Sequence, residues 1–447
     1  MKPATIFLAL CACAEAILGA PTNAIFSGPI SLEGAYGLAL AQNHTIRKSL
    51  KELEVTHGVV VQTRAVTLPK VRWLTDFQSS DANSIETVPV GGIKAPDHRW
   101  SSNLRLVQSI YEGGRLTAAL RLEKLIWEQA LLQHRVLISD TLLNVRVAYD
   151  GALLAAQQIG VQEASLRLIE RELEDVKKRY AAGAAPKFDV LRAEVELANA
   201  RPRLIRARNA LRIAQSELAV LLGLSTPKGT GENQLDLGGT LVIEPWPVEL
   251  PVAIARAFDQ RTELAALRIA EKIRAEDIII AESRRKPVVE MFTGYGARSS
   301  SFTRDLTRDL SGWFAGVQAT WDIYDGNLTK GRITEANAKH GKVRLEIEER
   351  MLHIEHEVRI AHSAFVEARE LLASQEKVQE QAEEALRLAQ ARAAAGAATQ
   401  LDVLTAQTAL TEARSTQVLA RHDYPVARAR LERAIGLDFQ VERQGKP

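Results

Sequence analysis

The side chains of this sequence that could do chemistry fall in three places. His353-Ile354-Glu355-His356-Glu357 would put two imidazoles and a carboxylate on about one turn of helix, with His340 and His362 close in sequence, and these are donor types for zinc-like ions. Two histidines without third and fourth ligands read more simply as a solvated polar face, so His353 and His356 stand as metal candidates while the expected cofactor is none. Thr399-Gln400-Leu401-Asp402 fits a capping box, in which the threonine hydroxyl takes an orphan helix amide and the aspartate reaches back. In a sister stretch ending at Asp189, Pro186 replaces the threonine as a helix-starting proline. The third group is aromatic: Trp73 and Phe77, then Trp313 and Trp321, lie on the apolar side of stretches with a two-residue period. No phosphate loop, Gly-x-Ser-x-Gly elbow or cysteine nucleophile accompanies them, and no catalytic residue or enzyme activity is expected.

The elements that must position these residues are written twice. RYAAGAAPKFDVL (Arg179 to Leu191) returns as RAAAGAATQLDVL (Arg392 to Leu404), 213 residues later, and the register holds without a gap to Leu224 and Leu437, with 19 of 46 positions identical. An unbroken register of that length means two halves of one architecture. Gly183-Ala184-Ala185-Pro186 and Gly396-Ala397-Ala398-Thr399 are therefore equivalent turns. Each joins a long helix to a return helix.

Each half reads as strand, loop, strand, long helix, tip, return helix. Ser31 to about Arg64 reads as helix, ended before Pro69. Strands are expected at Val71–Ser79 and Asn103–Tyr111, then at Val288–Gly296 and Trp313–Tyr324, where Trp313 and Trp321 would mark the two ends of one apolar face. Gly113 to Ala181 would extend about 100 Å as helix, longer than an ordinary globular domain can house. In the return helix, Val190, Leu197, Leu204, Leu211 and Leu218 recur every seven residues and Ala193, Ala200, Ala207 and Ala214 follow three positions later, a coiled-coil seam with small residues for close approach. Pro202 and Pro425 should kink or loosen their helices. The expected division is a signal at 1–24; a first repeat at 25–224 with hairpin 71–111, long helix 113–181 and return helix 188–222; a linker at 225–250; a second repeat at 251–437 with hairpin 288–324, long helix 327–394 and return helix 400–435; and a tail at 438–447.

Composition excludes several classes. With 57 Lys and Arg against 55 Asp and Glu, no nucleic-acid surface is indicated. Lys2, the apolar stretch after it and a small-residue site ending at Ala24 read as a secretory signal, and both cysteines, Cys11 and Cys13, fall inside it. Beyond this leader no apolar run is long enough for a transmembrane helix, so a membrane-spanning chain must use strands. Four strands cannot close a barrel, and an open edge in lipid leaves unpaired backbone groups at several kcal/mol each. A membrane reading thus requires strands pooled among copies, a β-barrel continued by an α-helical tube.

The twice-written Gly-x-x-x-x-x-Asp-Val-Leu tip, the Tyr111-Glu112-Gly113 and Tyr324-Asp325-Gly326 turns, the Gly-Leu ends at 223–224 and 436–437 and the exported start resemble the TolC-like outer-membrane efflux family. The resemblance covers nearly the whole mature chain. It implies a mainly α protein with a small β part, a homotrimer whose long helical hairpins form a periplasmic α-barrel continued by a twelve-stranded β-barrel, four strands per chain, in outer-membrane lipid. It implies passive conduction in a tripartite efflux pump or type I secretion system, with a periplasmic adaptor (membrane fusion) protein and an inner-membrane transporter of RND, ABC or MFS type as partners. The tips would then form the periplasmic entrance and dock the adaptor. Asp402 matches the place where the family sets a constricting carboxylate ring, with Asp189 its sister in the first repeat; a second ring aspartate of the best-studied branch is replaced by Thr405, its gate tyrosine by Ala393 and its gate arginine by Ala398. The rival from another class is a periplasmic coiled-coil adaptor or spacer, which would carry a single hairpin between small β-domains.

Overall fold

The computed structural model describes residues 29–84, 96–224, 235–241, 243–299 and 309–437. The expected signal, the tail at 438–447 and parts of the polar loops and linker lie outside the described residues. The order is α1 (Leu32–Gln42), α2 (His44–Ala65), β1 (Lys70–Ser79), β2 (His98–Glu112), α3 (Arg115–Ala181), α4 (Lys187–Leu222), α5 (Leu250–Gln260), α6 (Thr262–Ser283), β3 (Val288–Ser299), β4 (Asp309–Thr320), α7 (Leu328–Ala394) and α8 (Gln400–Ile435).

The two halves repeat closely. α3 and α7 each have 67 residues, α4 and α8 each 36, α1 and α5 each 11, and α2 and α6 each 22. The long helices start after left-handed turns at Gly113-Gly114 and Gly326-Asn327, so α3 begins two residues later than expected. α4 and α8 run unbroken through Pro202 and Pro425.

One expected helix is two. The chain breaks at Asn43 between α1 and α2, and again at Arg261 between α5 and α6. The Asn43 side chain caps α2 by accepting from the Thr45 and Ile46 amides, at 2.7 and 3.2 Å, and its amide donates to the Leu221 carbonyl at the end of α4, 2.6 Å away. The left-handed Gly223 ends α4 against the backbone of Gln42, and Gly436 ends α8 against Arg261. Each return helix thus abuts a break, and α2 and α6 carry on alongside the same long helix that the return helix packs against.

The cores sit at these joints. Leu142, Val145 and Tyr149 of α3 pack with Leu218 and Leu222 of α4 and with Ala35, Leu38 and Ala39 of α1. In the second half Ile354, Val358 and Phe365 of α7 pack with Tyr424 and Leu431 of α8 and with Ala253 and Ala257 of α5. Two tyrosines tie the connecting chain down: Tyr149 donates to the Ile30 and Gly238 carbonyls, at 3.0 and 2.8 Å, and Tyr424 to the Glu244 carbonyl at 2.7 Å. Along the return helices Ala193, Ala200, Leu204 and Leu218, then Val403, Leu410, Ala413, Ala420, Ala427 and Leu431, are buried, the side that the heptad pattern marks.

The strands form one antiparallel sheet in the order β1-β2-β3-β4, so the two hairpins pair through β2 and β3. The fourth strand covers Asp309–Thr320 rather than 313–324, because β3 starts at Val288 and offers no partner past Thr320. Trp321 therefore lies beyond the strand, its indole donating to the Arg285 carbonyl at 3.1 Å. β2 is longer than expected at both ends, and a bulge between Ser109 and Tyr111 resets its alternation at Ile110. Among the described residues no helix is long and apolar enough to cross a membrane.

Candidate functional site

Both tips use one turn. α3 ends with Gly183 at φ 72°, its amide bonded to the Tyr180 carbonyl and the Ala184 amide to that of Arg179; α7 ends with Gly396 at φ 73°, with the same bonds from Gly396 to Ala393 and from Ala397 to Arg392. These paired bonds satisfy the last helix carbonyls, and the left-handed position is where glycine avoids a Cβ penalty. The next helix starts differently in each copy. Thr399 accepts from the Asp402 amide at 3.3 Å and Asp402 accepts from the Thr399 amide at 2.8 Å, the reciprocal capping box expected from sequence, while Pro186 opens α4 without a side-chain cap bond. Bonds from the Thr399 backbone and hydroxyl hold the exposed Asp402 carboxyl below the usual range. Thr405, one turn on, spends its hydroxyl on the Leu401 carbonyl at 2.8 Å.

The tips are tied to each other by a contact that the sequence does not signal. Gln400 donates to Glu172 at 2.7 Å, and Arg179 reaches both Glu172, at 3.2 Å, and the Gln400 side-chain oxygen, at 3.3 Å. Below them Leu168 of α3 packs on the cluster of Leu386, Val403 and Leu410. The two hairpins of one chain therefore stand side by side through α3 and α8.

The strand band has two unlike faces. Trp73, Leu104, Tyr295 and Trp313 share one register row, and all four are exposed, from 52% to 81%. The same face carries Val71, Phe77, Trp100, Leu106, Met291, Ala315 and Val317, and about ten residues of tilted strand separate the row of Ala319 from that of Asp309. That is the height of about 25 Å spanned by the apolar band of an outer-membrane barrel. On the opposite face Phe314 lies over Gly294 and Phe292 over Gly316. β1 and β4 are each paired on one side only.

The match to known proteins follows the same division. The family model described as "Outer membrane efflux protein" covers residues 35–224 and 253–437. The chain belongs to this family. Relatives of this efflux protein include the alkaline protease secretion protein AprF of Pseudomonas aeruginosa, 23% identical over 91% of this chain and 85% of the relative. The cobalt-zinc-cadmium resistance protein CzcC of Cupriavidus metallidurans is 24% identical over 87% and 85%, and the outer membrane protein TolC of Vibrio cholerae 22% identical over 94% of both. Among solved structures, the outer membrane protein VceC of Vibrio cholerae superposes with a TM-score of 0.76 at 18% identity over 91% of this chain and 96% of that one. The Campylobacter jejuni CmeC outer membrane channel gives 0.78 at 14% over 91% and 85%. The outer membrane efflux protein described here is thus an outer-membrane channel component, and it extends into the periplasm.

The metal candidates do not assemble. His353 is exposed beside Glu349, 3.9 Å away, while Glu357 is engaged by Arg261 and by Arg350 at 3.1 Å. His340 faces Glu271 at 3.7 Å and His362 meets the Val248 carbonyl at 3.0 Å. Among the described residues no three His, Cys, Asp or Glu side chains are grouped to hold a metal ion.

A buried charge network at the joints went unforeseen. Glu263 on α6 takes bonds from Arg261 and Arg433, Arg433 also holds Asp140 of α3 at 2.7 Å, and these side chains line one end of a cavity of about 670 Å³ between α7 and α8. Burial pushes the Glu263 carboxyl up, but bonds from Arg261 and Arg433 and their charges overcome it and hold the group at about 2. Asp150 shows the opposite balance: burial dominates, Arg146 at 4.0 Å and His422 offset it in part, and its carboxyl sits at about 6. The partners in such pairs lie up to 293 residues apart, so no local pattern announces them.

Proposed function

We propose that three copies of this chain assemble into a passive exit duct, a twelve-stranded membrane barrel continued by an α-helical tube, as one component of a tripartite efflux pump or type I secretion system. One observation carries this reading: the four-stranded sheet has an aromatic outer face free of charge except for Asp309 at its loop end, and two edges with unpaired backbone, which lipid does not tolerate. The helices repeat the pattern. α4 leaves Val195, Ile205, Ile213 and Val220 exposed and α7 leaves Leu345, Leu352 and Ile360, apolar rows that a neighbouring copy would cover.

In this reading the two tips of each chain make a ring of six near-equivalent turns that docks a periplasmic adaptor, with Asp402, Asp189 and Thr405 near the entrance. Energy comes from an inner-membrane transporter, the chain itself catalyses nothing, and residues 1–24 act as an export signal. Asp402 serves first as a helix cap, and the charge that the cap holds on it gives the entrance an acidic ring. A soluble adaptor or spacer is disfavoured by the match to an outer-membrane family over both repeats. The test is fractionation with cysteines placed on the β1 and β4 edges: oxidation should link neighbouring copies into a heat-modifiable, detergent-soluble trimer that forms channels in planar bilayers. A water-soluble monomer without conductance would refute it.

A further inference from the structure

The sheet register sorts charge as sharply as it sorts hydrophobicity. On the face opposite the tryptophans, β1 presents Lys70, Arg72 and Asp76, β2 Arg99 and Arg105, and β3 Glu290 and Arg298, five cations against two acids. Glu112 follows on the same side past the bulge, but it is buried and paired with Arg115 of α3, which removes it from the balance. The outer face carries no Lys, Arg or Glu, and its single acid, Asp309, lies at its loop end.

Two of the cations are placed at a cost. Arg72 and Arg105 sit directly opposite each other on adjacent antiparallel strands, an arrangement that like charges disfavour. Among the described residues neither makes an ion pair; Arg105 instead lies over the Phe292 ring, its Cζ 4.3 Å from the centroid. The remainder of their register row is Gly294 and Phe314, which supply no counter-charge. The two acids are bonded to serines rather than paired with these arginines, Asp76 to Ser101 and Glu290 to Ser109 at 3.5 Å, and against five cations they leave an excess of three. Like charges facing each other in the middle of a strand band cost the sheet stability that one cation–π contact offsets only in part, so the pair is to be read as part of what passes the band.

Resting on the duct reading above, we infer that the inner wall of the barrel is an anion-selecting mouth, with Arg72 and Arg105 as its specificity-determining residues. Three copies bring six arginines to one level of the lumen. Rings of Arg or Lys favour anions in pores as acidic rings favour cations. The class of solute favoured on exit is accordingly anionic, carboxylated, sulfated or phosphorylated, while neutral solutes pass without discrimination.

The test is the reversal potential of the full-length trimer in a planar bilayer between about 0.01 M and about 0.1 M KCl, where screening lengths of about 30 and 10 Å leave wall charges visible. With the potassium-favouring acidic ring at the entrance removed by Asp402→Asn in every protein compared, chloride should permeate in preference to potassium. The double substitution Arg72→Ser with Arg105→Ser should lower the anion-to-cation permeability ratio by roughly twofold to fivefold at the low-salt end, while Arg72→Lys with Arg105→Lys should retain it. Heat-modifiability on a gel verifies that both variants remain folded trimers. A conducting trimer whose reversal potential is the same with serine or arginine at these positions would overturn the assignment and leave the duct standing. Absence of any conductance from the native protein would overturn both.

Discussion

Four glycines with nearly the same backbone conformation separate local strain from the tertiary role of the helix joints. Gly183, Gly396, Gly223 and Gly436 have φ of 72°, 73°, 73° and 87° and each ends a helix. Alanine at any of them costs about 1–2 kcal/mol for the left-handed backbone alone. At the tips nothing lies within 4 Å of an added Cβ at Gly183 or Gly396, so that is the whole cost. At Gly223 the Cβ would fall 2.5 Å from the Gln42 carbonyl oxygen and 2.8 Å from its carbon, and at Gly436 it would fall 3.0 Å from the Arg261 nitrogen. Backbone cannot swing aside as a side chain can. The α4 end must move off the α1–α2 break by up to about an ångström, and overpacking of that kind costs about 1–3 kcal/mol more. The expected order of destabilisation is Gly183→Ala equal to Gly396→Ala, then Gly436→Ala, then Gly223→Ala, the last reaching about 2–5 kcal/mol. Unfolding rates of the detergent-solubilised protein at one fixed temperature read this order, with about tenfold per 1.4 kcal/mol where the joint is intact in the unfolding transition state. Equal losses at all four positions would show that the joints carry no tertiary load, and the argument for end-to-end abutment at Asn43 and Arg261 would fall with them.

Other expectations follow from single contacts. Thr399→Ala removes the reciprocal cap and should cost the start of α8 about 1 kcal/mol, seen as faster amide exchange over residues 400–404 with no change at the α4 start; equal exchange at both would refute it. Asp150 has a carboxyl raised to about 6, so the folded chain binds its proton more tightly than the unfolded chain does, and stability falls as pH rises from about 4 through 6. Asp150→Asn should therefore stabilise by up to about 3 kcal/mol at pH 8 and have little effect at pH 4; the reverse pH dependence in thermal melts would sink the assignment. Glu263 works in the other direction, its carboxyl held at about 2, so its contribution is complete above the ordinary carboxylate range and is lost as pH falls towards 2; Glu263→Gln should flatten that acid limb. Leu352→Asp puts a charge on the exposed apolar row of α7 and should yield monomers on a non-denaturing gel, whereas Lys342→Asp on the same helix should not.

Much of the helical repeat was legible because it is local: heptads, alanine spacing and glycine stops lie within a few turns of one another. The features that were not legible depend on partners far along the chain. Asn43 and Arg261 break helices although neither is proline or glycine, because the break is stabilised by the end of a return helix arriving from elsewhere. The alternation through Trp321 and Ile323 continues past the true end of β4, since strand length is fixed by the neighbour's length and β3 stops at Val288. Of the aromatic residues expected at the membrane, Trp73 and Trp313 share a row; Tyr295 completes that row and was missed because glycines on both sides dilute its pattern.

The repeat is also unequal where it matters for closure. The helical hairpins are near copies, and six of them could ring an axis with almost equivalent contacts. The sheet cannot follow that rule, because β2 and β3 join the two repeats within a chain while β1 and β4 are left open. The contact between repeats inside one chain is thus covalently assured, and the contact between chains must be made by collision. Exposed apolar rows on α4 and α7 lie on the helical part of the same chain, so one association step could pair the strand edges and bury the helix rows together. A strand edge inserted in lipid before that step would expose every unpaired amide at several kcal/mol each. Packing of the helices therefore has to accompany or precede barrel closure, and Leu352→Asp should block membrane insertion as well as trimer formation, although it lies in a helix with no part in the barrel.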